Sequence, residues 1–396
     1  MKYAIILPDG AADEPLPVLA GKTPLQAAHI PHMDWVAQHG RLGRVLTVPE
    51  PFTPGTDVAT LTLFGYDPRR YYSGRAPLEA RARGLTATND QLIFRCNFVT
   101  ILDGRMKDFT AGHIAQDEAN ALVASLNQLS FPGETCAFHT GVSYRNLMLL
   151  AHAAQLKVTC APPHDIPDQP VAGHLPGGDG QERVRAIMEQ AAAVLPDHPV
   201  NLARKSRGQD PVTHIWLWGQ GRPVAMETLR ERHGLTGAAI TGVDIIRGIA
   251  QGMGMELIHV PGATGYLDTD YAAKGRAAVE ALRTHDVMVV HVEAPDEAGH
   301  LGDAREKVLA LERMDEAIVG PVLDALRSHG DFRVLVAPDH PTPVATKAHS
   351  RVPPPFCYAG QGVAPPSGRR FTEEDAVATG DYVADGHTLF PQFLGR

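Results

Sequence analysis

Tyr3-Ala4-Ile5-Ile6-Leu7-Pro8-Asp9 is a continuous apolar run that stops at an acid. The same design returns twice, far along the chain. Val287-Met288-Val289-Val290-His291-Val292 leads to Pro295-Asp296, and Val334-Leu335-Val336-Ala337 ends in Pro338-Asp339-His340. Val, Ile and Leu without polar alternation fit strands buried on both faces, as in a parallel sheet covered by helices. Functional groups in such sheets gather at the carboxyl ends of the strands. The three aspartates are therefore expected in one cluster assembled from distant sequence.

Helical patterns separate the runs. Asp268-Thr269-Asp270 opens one that continues through Ala272, Ala273, Ala277, Val279 and Leu282; another runs from about Asp303 through Val308, Leu311, Met314, Ile318 and Val322. Strand and helix in alternation give an α/β fold. The middle of the chain has a different logic. Gln91 to Ile101 turns through Asp103-Gly104-Arg105 as an antiparallel meander, and a helix follows near Asp117 to Leu126. Then come strands around Thr135 to Phe138 and Arg145 to Leu150, a Pro/Gly-rich loop from Ala161 to Gly180, and a helix from about Gln181 to Leu195. The expected domains are a core of residues 1–80 and 216–396 and a smaller α+β insertion of 81–215. Trp216 and Trp218 read as strand core.

A further strand, Arg44 to Val48, precedes Pro54-Gly55-Thr56-Asp57-Val58-Ala59-Thr60-Leu61. Pro54 and Gly55 break the extended run, and apolar residues resume in a helical pattern. Thr56 falls where a hydroxyl meets the unpaired N–H groups and positive dipole end of the new helix, a seat for a phosphate. The competing reading is a simple helix cap.

Composition narrows the function. The chain has 396 residues and a net charge of -9, with no long basic block, which speaks against nucleic-acid binding. No apolar run approaches the roughly 20 residues that cross a bilayer. The first residues lack a cleavage site and read as a strand, so a membrane role is not expected and the cytoplasm is. The four cysteines are scattered without CxxC spacing, consistent with free thiols in a reducing compartment. Gly219-Gln220-Gly221 is too short for a dinucleotide fingerprint, and no GxxxxGK[ST] loop exists.

Asp296 and His300 are four apart, so on a helix they share a face and can share a metal. Asp339-His340 follows a strand directly, and His349 lies nine residues beyond His340. An Asp/His set with a hydroxyl suits Mn²⁺ or Zn²⁺ better than a thiolate site would.

The order Asp9, Thr56, Asp296-x-x-x-His300, Asp339-His340, His349 resembles the alkaline phosphatase superfamily. More narrowly, it is similar to the archaeal-type 2,3-bisphosphoglycerate-independent phosphoglycerate mutases, also found in bacteria. Further stretches carry the resemblance along essentially the whole chain. They include Leu7-Pro8-Asp9-Gly10, Gly74-Arg75-Ala76-Pro77-Leu78-Glu79-Ala80, Phe94-Arg95-Cys96-Asn97, Gly141-Val142-Ser143-Tyr144-Arg145, Trp218-Gly219-Gln220-Gly221 and Pro261-Gly262-Ala263-Thr264-Gly265.

The resemblance implies an alkaline-phosphatase-like three-layer core with a mostly parallel sheet. It also implies two divalent metal ions, Mn²⁺ first, with Zn²⁺, Co²⁺ or Mg²⁺ as alternatives. Asp9, Thr56, Asp339 and His340 would hold one ion; Asp296, His300 and His349 would hold the other. Thr56, standing where these relatives usually carry serine, would attack the substrate phosphate and form a phosphothreonine while 3- and 2-phosphoglycerate interconvert. Arg75, Arg95 and Arg145 are the candidates for binding a small anionic phosphorylated substrate, since guanidinium forks match carboxylate and phosphate oxygens. His113 is the candidate acid/base for the glycerate hydroxyls, with His164-Asp165 as a second candidate. His32, His152 and His285 read as structural or surface residues. The same residues also suit a homoserine kinase-like phosphotransferase, a metal-dependent phosphatase or, outside catalysis, a metal-stabilised binding protein. Nothing in the sequence excludes an oligomer.

Overall fold

A computed structural model describes residues 1–396, and the chain divides into two compact units: Met1–Tyr72 with Ala225–Arg396, and Ser73–Val224. The division falls outside the expected 81–215 on both sides. The helix Arg75–Ala82 packs Ala76 and Ala80 against Ile93, Leu147 and Leu149, and the strand His214–Gly221 pairs with Leu92–Leu102. Trp216 and Trp218 are buried, as expected, but in the second unit's core.

The first unit is built on an eight-stranded sheet. Its order is Glu256–Leu257, Gly237–Ile240, Val287–Val292, Lys2–Pro8, Phe332–Val336, Pro355–Gly360, Arg41–Val45, Tyr382–Val383. Pairing is parallel throughout except on the two sides of Pro355–Gly360, so the sheet is mostly parallel. The strand before the Thr56 helix is Arg41–Val45 rather than Arg44 to Val48, because Val45 is the last residue to pair there.

Both faces of the central strands are covered. Ala4, Ile6, Met288, Val290, Val334 and Val336 join one core with residues of the helices Pro31–His39, Tyr271–Ala281 and Gly320–His329. On the opposite face Tyr3, Ile5, Val287, Val289 and Leu335 are equally buried, and Tyr3 meets Phe393 of the helix Leu389–Leu394 edge-on at 5.7 Å. Period-2 alternation explains why these runs, His291 excepted, are apolar: each side chain enters one core or the other. The result is a three-layer α/β unit. The expected helix beyond Asp303 is Ala304–Met314 and Gly320–His329 joined by a π-helical segment, Asp315–Val319. There the Asp315 carboxylate accepts from the backbone N–H groups of His32 and Met33 at 3.0 and 2.7 Å, which caps the start of Pro31–His39.

The second unit is α+β. Leu92–Leu102 is central, pairing antiparallel with Arg145–Leu150 and with His214–Gly221 along its two edges and with Arg105–Asp108 at its end. Leu92, Phe94, Cys96 and Phe98 point into a core with the helices Gln116–Leu126 and Gln181–Val194. Ile93, Arg95 and Asn97 take the other face, where the helix Arg75–Ala82 lies.

Candidate active site

Lys2–Pro8 lies between Val287–Val292 and Phe332–Val336, with Leu7 beside His291 and Ile6 beside Val336. Three neighbouring strands therefore end together, and the acids that follow them meet. Asp9 and Asp339 are fully buried and Asp296 is 3 % exposed. Gly10 makes the turn after Asp9 possible. Its φ is +61°, its N–H donates to Asp339 Oδ1 at 3.2 Å, and a Cβ there would stand 2.6 Å from Asp296 Oδ1.

Asp296 and His300 lie on the helix Ala294–Leu301, on the same face as their spacing requires. His300 Nε2 is 3.2 Å from Asp296 Oδ2 and 2.9 Å from His349 Nε2, and His349 Nε2 is 3.5 Å from Asp296 Oδ1. His300 Nδ1 donates to the backbone carbonyl of Lys347 at 2.9 Å, which turns Nε2 toward the cluster. His340 Nε2 is 3.3 Å from Asp339 Oδ2 and 3.7 Å from Asp9 Oδ1. The rings of His340 and His349 lie 4.0 Å apart and join the two groups.

Thr56 is the first residue of the helix Thr56–Leu63, and Gly55 holds the cap position. Its hydroxyl accepts no backbone N–H of that helix; it faces His340 Nε2 at 3.3 Å. Thr56 thus joins the Asp9, Asp339, His340 group, which is more than a cap would do. All the residues expected as metal ligands, from Asp9 to His349, meet in the first unit.

These side chains can be tested as a cation site on their own terms. Asp9 Oδ1, Asp339 Oδ2 and Glu293 Oε2 are buried and make no hydrogen bond. Burial, together with Asp339, Glu293 and Asp296, pushes the Asp9 carboxyl well above the usual range. Burial likewise lifts Glu293 to about 8. At Asp296 burial acts the same way, but hydrogen bonds from His300 and His349 outweigh it and hold the carboxyl low. In return, the bond to Asp296 raises His300 to about 9. Buried, mutually repelling carboxylates with orphaned oxygens are what divalent cations relieve, and Asp/His donors suit such ions.

Four supporting residues went unread in the sequence. His291 Nε2 donates to Asp9 Oδ2 at 2.8 Å; burial lowers this imidazole to about 3, so it is neutral, with Nδ1 taking the Thr241 hydroxyl at 3.2 Å. The signal was present: His291 is the one polar residue in an otherwise apolar strand. Thr342 donates its hydroxyl to Asp296 Oδ1, and nothing in its spacing marks it. Lys307 and Lys274 are fully buried. Lys307 Nζ donates to Asp13 Oδ2 and to the Thr342 carbonyl, both at 2.8 Å, and ties together the loops after two ligand-bearing strands. Lys274 Nζ donates to the His291 carbonyl at 3.2 Å. Each lysine shares its helix face with buried apolar residues, Leu311 and Met314 in one case and Ala278 and Ala281 in the other, and that placement was legible.

The second unit gathers the arginines. Arg95 is 9 % exposed, pairs with Glu79 at 3.1 Å and lays its guanidinium 4.2 Å from the Trp218 ring. Burial lowers Arg95 to about 10, Glu79 offsets that, and Arg75 and Arg145 lower it further, so the three cations are neighbours. Gly219 admits them: its φ is +60°, and a Cβ would stand 3.3 Å from Arg95 Cδ and 3.6 Å from Arg75 Cβ. The pairing of Leu92–Leu102 with His214–Gly221 slips by one residue here, so the Trp218-Gly219-Gln220-Gly221 stretch is a β-bulge. Arg145 is exposed and its Nε donates to the Tyr144 hydroxyl at 3.1 Å. His113 meets Tyr144 edge-on at 5.9 Å and has the Asp108 carboxylate as a charged neighbour.

A family profile described as 2,3-bisphosphoglycerate-independent phosphoglycerate mutase matches residues 37–201. A protein of that name from Methanothrix thermoacetophila is 47% identical over 390 residues, 98% of each chain. This chain belongs to that family. It is therefore an enzyme of the isomerase class. The family's second mutase from Methanothermobacter thermautotrophicus is 51% identical over 365 residues, 92% of this chain and 90% of that one. Among solved structures, the cofactor-independent phosphoglycerate mutase of Thermoplasma acidophilum matches with a TM-score of 0.68 and 25% identity, over 100% of this chain and 99% of that one. A Pyrococcus horikoshii protein matches with a TM-score of 0.82 and 28% identity, over 100% of this chain and 96% of the other. The α/β architecture is thus that of the family.

Proposed function

We propose that the protein is a cytoplasmic phosphoglycerate mutase that interconverts 3- and 2-phosphoglycerate through a phosphothreonine at Thr56. The observation that carries this reading is the Thr56 hydroxyl facing His340, whose ring lies against the buried Asp9 and Asp339 carboxylates with their orphaned oxygens. Asp9, Thr56, Asp339 and His340 would hold one divalent ion, and Asp296, His300 and His349 a second, Mn²⁺ being the first choice. Such ions supply Lewis acidity at phosphoryl oxygens and favour an ionised hydroxyl.

The chain's own residues do the rest. Thr56 Oγ1 takes the phosphoryl group from one glycerate oxygen and returns it to the other, so its helix N-terminus holds the developing negative charge. His340, buried and held neutral by that burial, keeps Nε2 facing Oγ1. His291 fixes the orientation of Asp9, Thr342 that of Asp296, and the Lys347 carbonyl that of His300. Arg75, Arg95 and Arg145 recognise the carboxylate and phosphate of the substrate.

An enolase-coupled assay of the Mn²⁺-loaded protein with 3-phosphoglycerate tests the reading directly. Turnover without added 2,3-bisphosphoglycerate is the expected result. Inactivity there, with phosphorylation of homoserine by ATP in a parallel assay, would replace the mutase by a kinase on the same scaffold.

A further inference from the structure

The arginines of Ser73–Val224 account for the anionic ends of a phosphoglycerate and leave its free hydroxyl unread. One side chain beside them has the chemistry for it. His164 sits on the short turn Pro163–Asp165, which Pro162 and Pro163 stiffen. Its ring meets the edge of Trp218 with centroids 5.1 Å apart and that of Phe109 at 6.3 Å. Trp218 carries the Arg95 guanidinium on its face, so one indole touches both the imidazole and the most buried of the three cations. Gly219, the next residue, is the point where Arg95 and Arg75 approach. Both aromatic rings pack against His164, and its side chain remains 43% exposed.

The electrostatic surroundings define what it can bind. Burial lowers the His164 imidazole, Asp165 at 3.6 Å raises it, and Arg75, Arg95 and Arg145 each lower it again. A neutral imidazole offers one N–H donor and one acceptor, the complement of an alcohol. A fourth cation there would add only charge. His113 also neighbours the arginines, since the Tyr144 ring it meets carries the Arg145 guanidinium 5.1 Å from its centroid. The Asp108 carboxylate is beside it, however, and that carboxylate already holds the Thr110 and Gly112 backbone N–H groups at 2.7 Å.

We infer that His164, the second of the two histidines the sequence offers for the glycerate hydroxyls, is a specificity-determining residue that hydrogen-bonds the free hydroxyl of the phosphoglycerate in place of His113. The inference rests on the substrate reading above. It is tested by pairing D-3-phosphoglycerate with 3-(phosphonooxy)propanoate, which has the same carboxylate and phosphate but no hydroxyl. Dissociation constants are measured by calorimetry on the full-length, Mn²⁺-loaded Thr56→Ala protein, which prevents turnover.

With His164 present, the hydroxyl should improve binding roughly fivefold to tenfold, the worth of one hydrogen bond. In His164→Ala the two ligands should bind alike, with affinity for the deoxy analogue unchanged. His113→Ala should keep the preference. A preference that survives His164→Ala, or that disappears in His113→Ala instead, overturns the inference. So does an equal loss for both ligands, which would mark His164 as structural. If neither ligand binds while His164 is intact, the phosphoglycerate reading itself fails, a result separable from the others.

Discussion

Thr56 Oγ1 points at His340 Nε2, 3.3 Å away, while the N–H groups of the helix that Thr56 begins receive nothing from it. A capping threonine turns the other way. Thr56→Ala should therefore cost less than the ~1 kcal/mol of a lost cap, yet reduce turnover by about three orders of magnitude or more. Thr56→Ser should stay active, since the oxygen and the helix terminus remain. Rapid-quench mass spectrometry with substrate should find phosphate on the Thr56 peptide. An active Thr56→Ala enzyme without that adduct would return the residue to a purely structural role.

Metal removal gives the second expectation. Chelation should abolish activity, and Mn²⁺, Co²⁺ or Zn²⁺ should restore it, because carboxylate and imidazole donors bind all three. Elemental analysis of Asp296→Asn or His300→Ala should show one metal equivalent fewer. Gly10→Ala should also lose metal, although it removes no ligand, because its Cβ would stand 2.6 Å from Asp296 Oδ1. Full metal content in Gly10→Ala would mean that the turn can move aside.

In the metal-free protein, the share of stability held by His300 and Glu293 should fall as pH rises from 6.5 to 8. The bond to Asp296 lifts His300 from 6.5 to about 9, and burial lifts Glu293 from 4.5 to about 8. Over that window these two groups keep protons that the unfolded chain has released, so their contribution to the slope of unfolding free energy with pH is negative. The contribution of each of the two is complete below its unfolded value and is lost through its folded one. His291 and Lys274, which burial lowers to about 3 and about 8, contribute with the opposite sign. Urea midpoints of the wild type and Glu293→Gln at several pH values isolate the Glu293 share, and the variant should gain on the wild type as pH rises. A difference between the two that stays constant from pH 6.5 to 8 would show that Glu293 is not as desolvated as described.

Arg145 and Arg95 should respond differently to removal. Arg145 is exposed and lacks a carboxylate partner, so Arg145→Ala should raise KM by roughly ten- to a hundredfold with little change in thermal stability. Arg95→Leu leaves Glu79 buried and unpaired, which should destabilise the fold by about 3–5 kcal/mol. Steady-state kinetics and urea denaturation on both variants separate the two effects. Unchanged KM in Arg145→Ala would move the substrate elsewhere.

How far the sequence could be read depended on whether a residue's role leaves a pattern. The strands that lead to Asp9, Asp296 and Asp339 were legible because burial on both faces requires near-continuous apolar runs, and those runs are broken only at His291. The shared face of Asp296 and His300 followed from helical spacing. Thr342 was not legible, because a hydroxyl that acts by touching a ligand carries no periodicity. The division at Ser73 and Val224 was missed for a related reason: the strand His214–Gly221 looks like the core strands in composition, and only its pairing partner assigns it. The turn at Gly219 resembled a fragment of a nucleotide motif, whereas its work is to let two arginines approach one strand.

The position of Lys2–Pro8 between Val287–Val292 and Phe332–Val336 has a consequence for biosynthesis. The strand Lys2–Pro8 has no lateral partner until residue 287 has been made, long after the strand itself, and its second edge waits for residue 332. Contacts of such sequence separation form late. Metal uptake would then wait for the ligand-bearing strands Val287–Val292 and Phe332–Val336 rather than accompany synthesis of Lys2–Pro8. Ribosome-bound chains ending before residue 287 should retain no tightly held Mn²⁺, and the exposed N-terminal strand is the segment a chaperone would have to shield in the meantime.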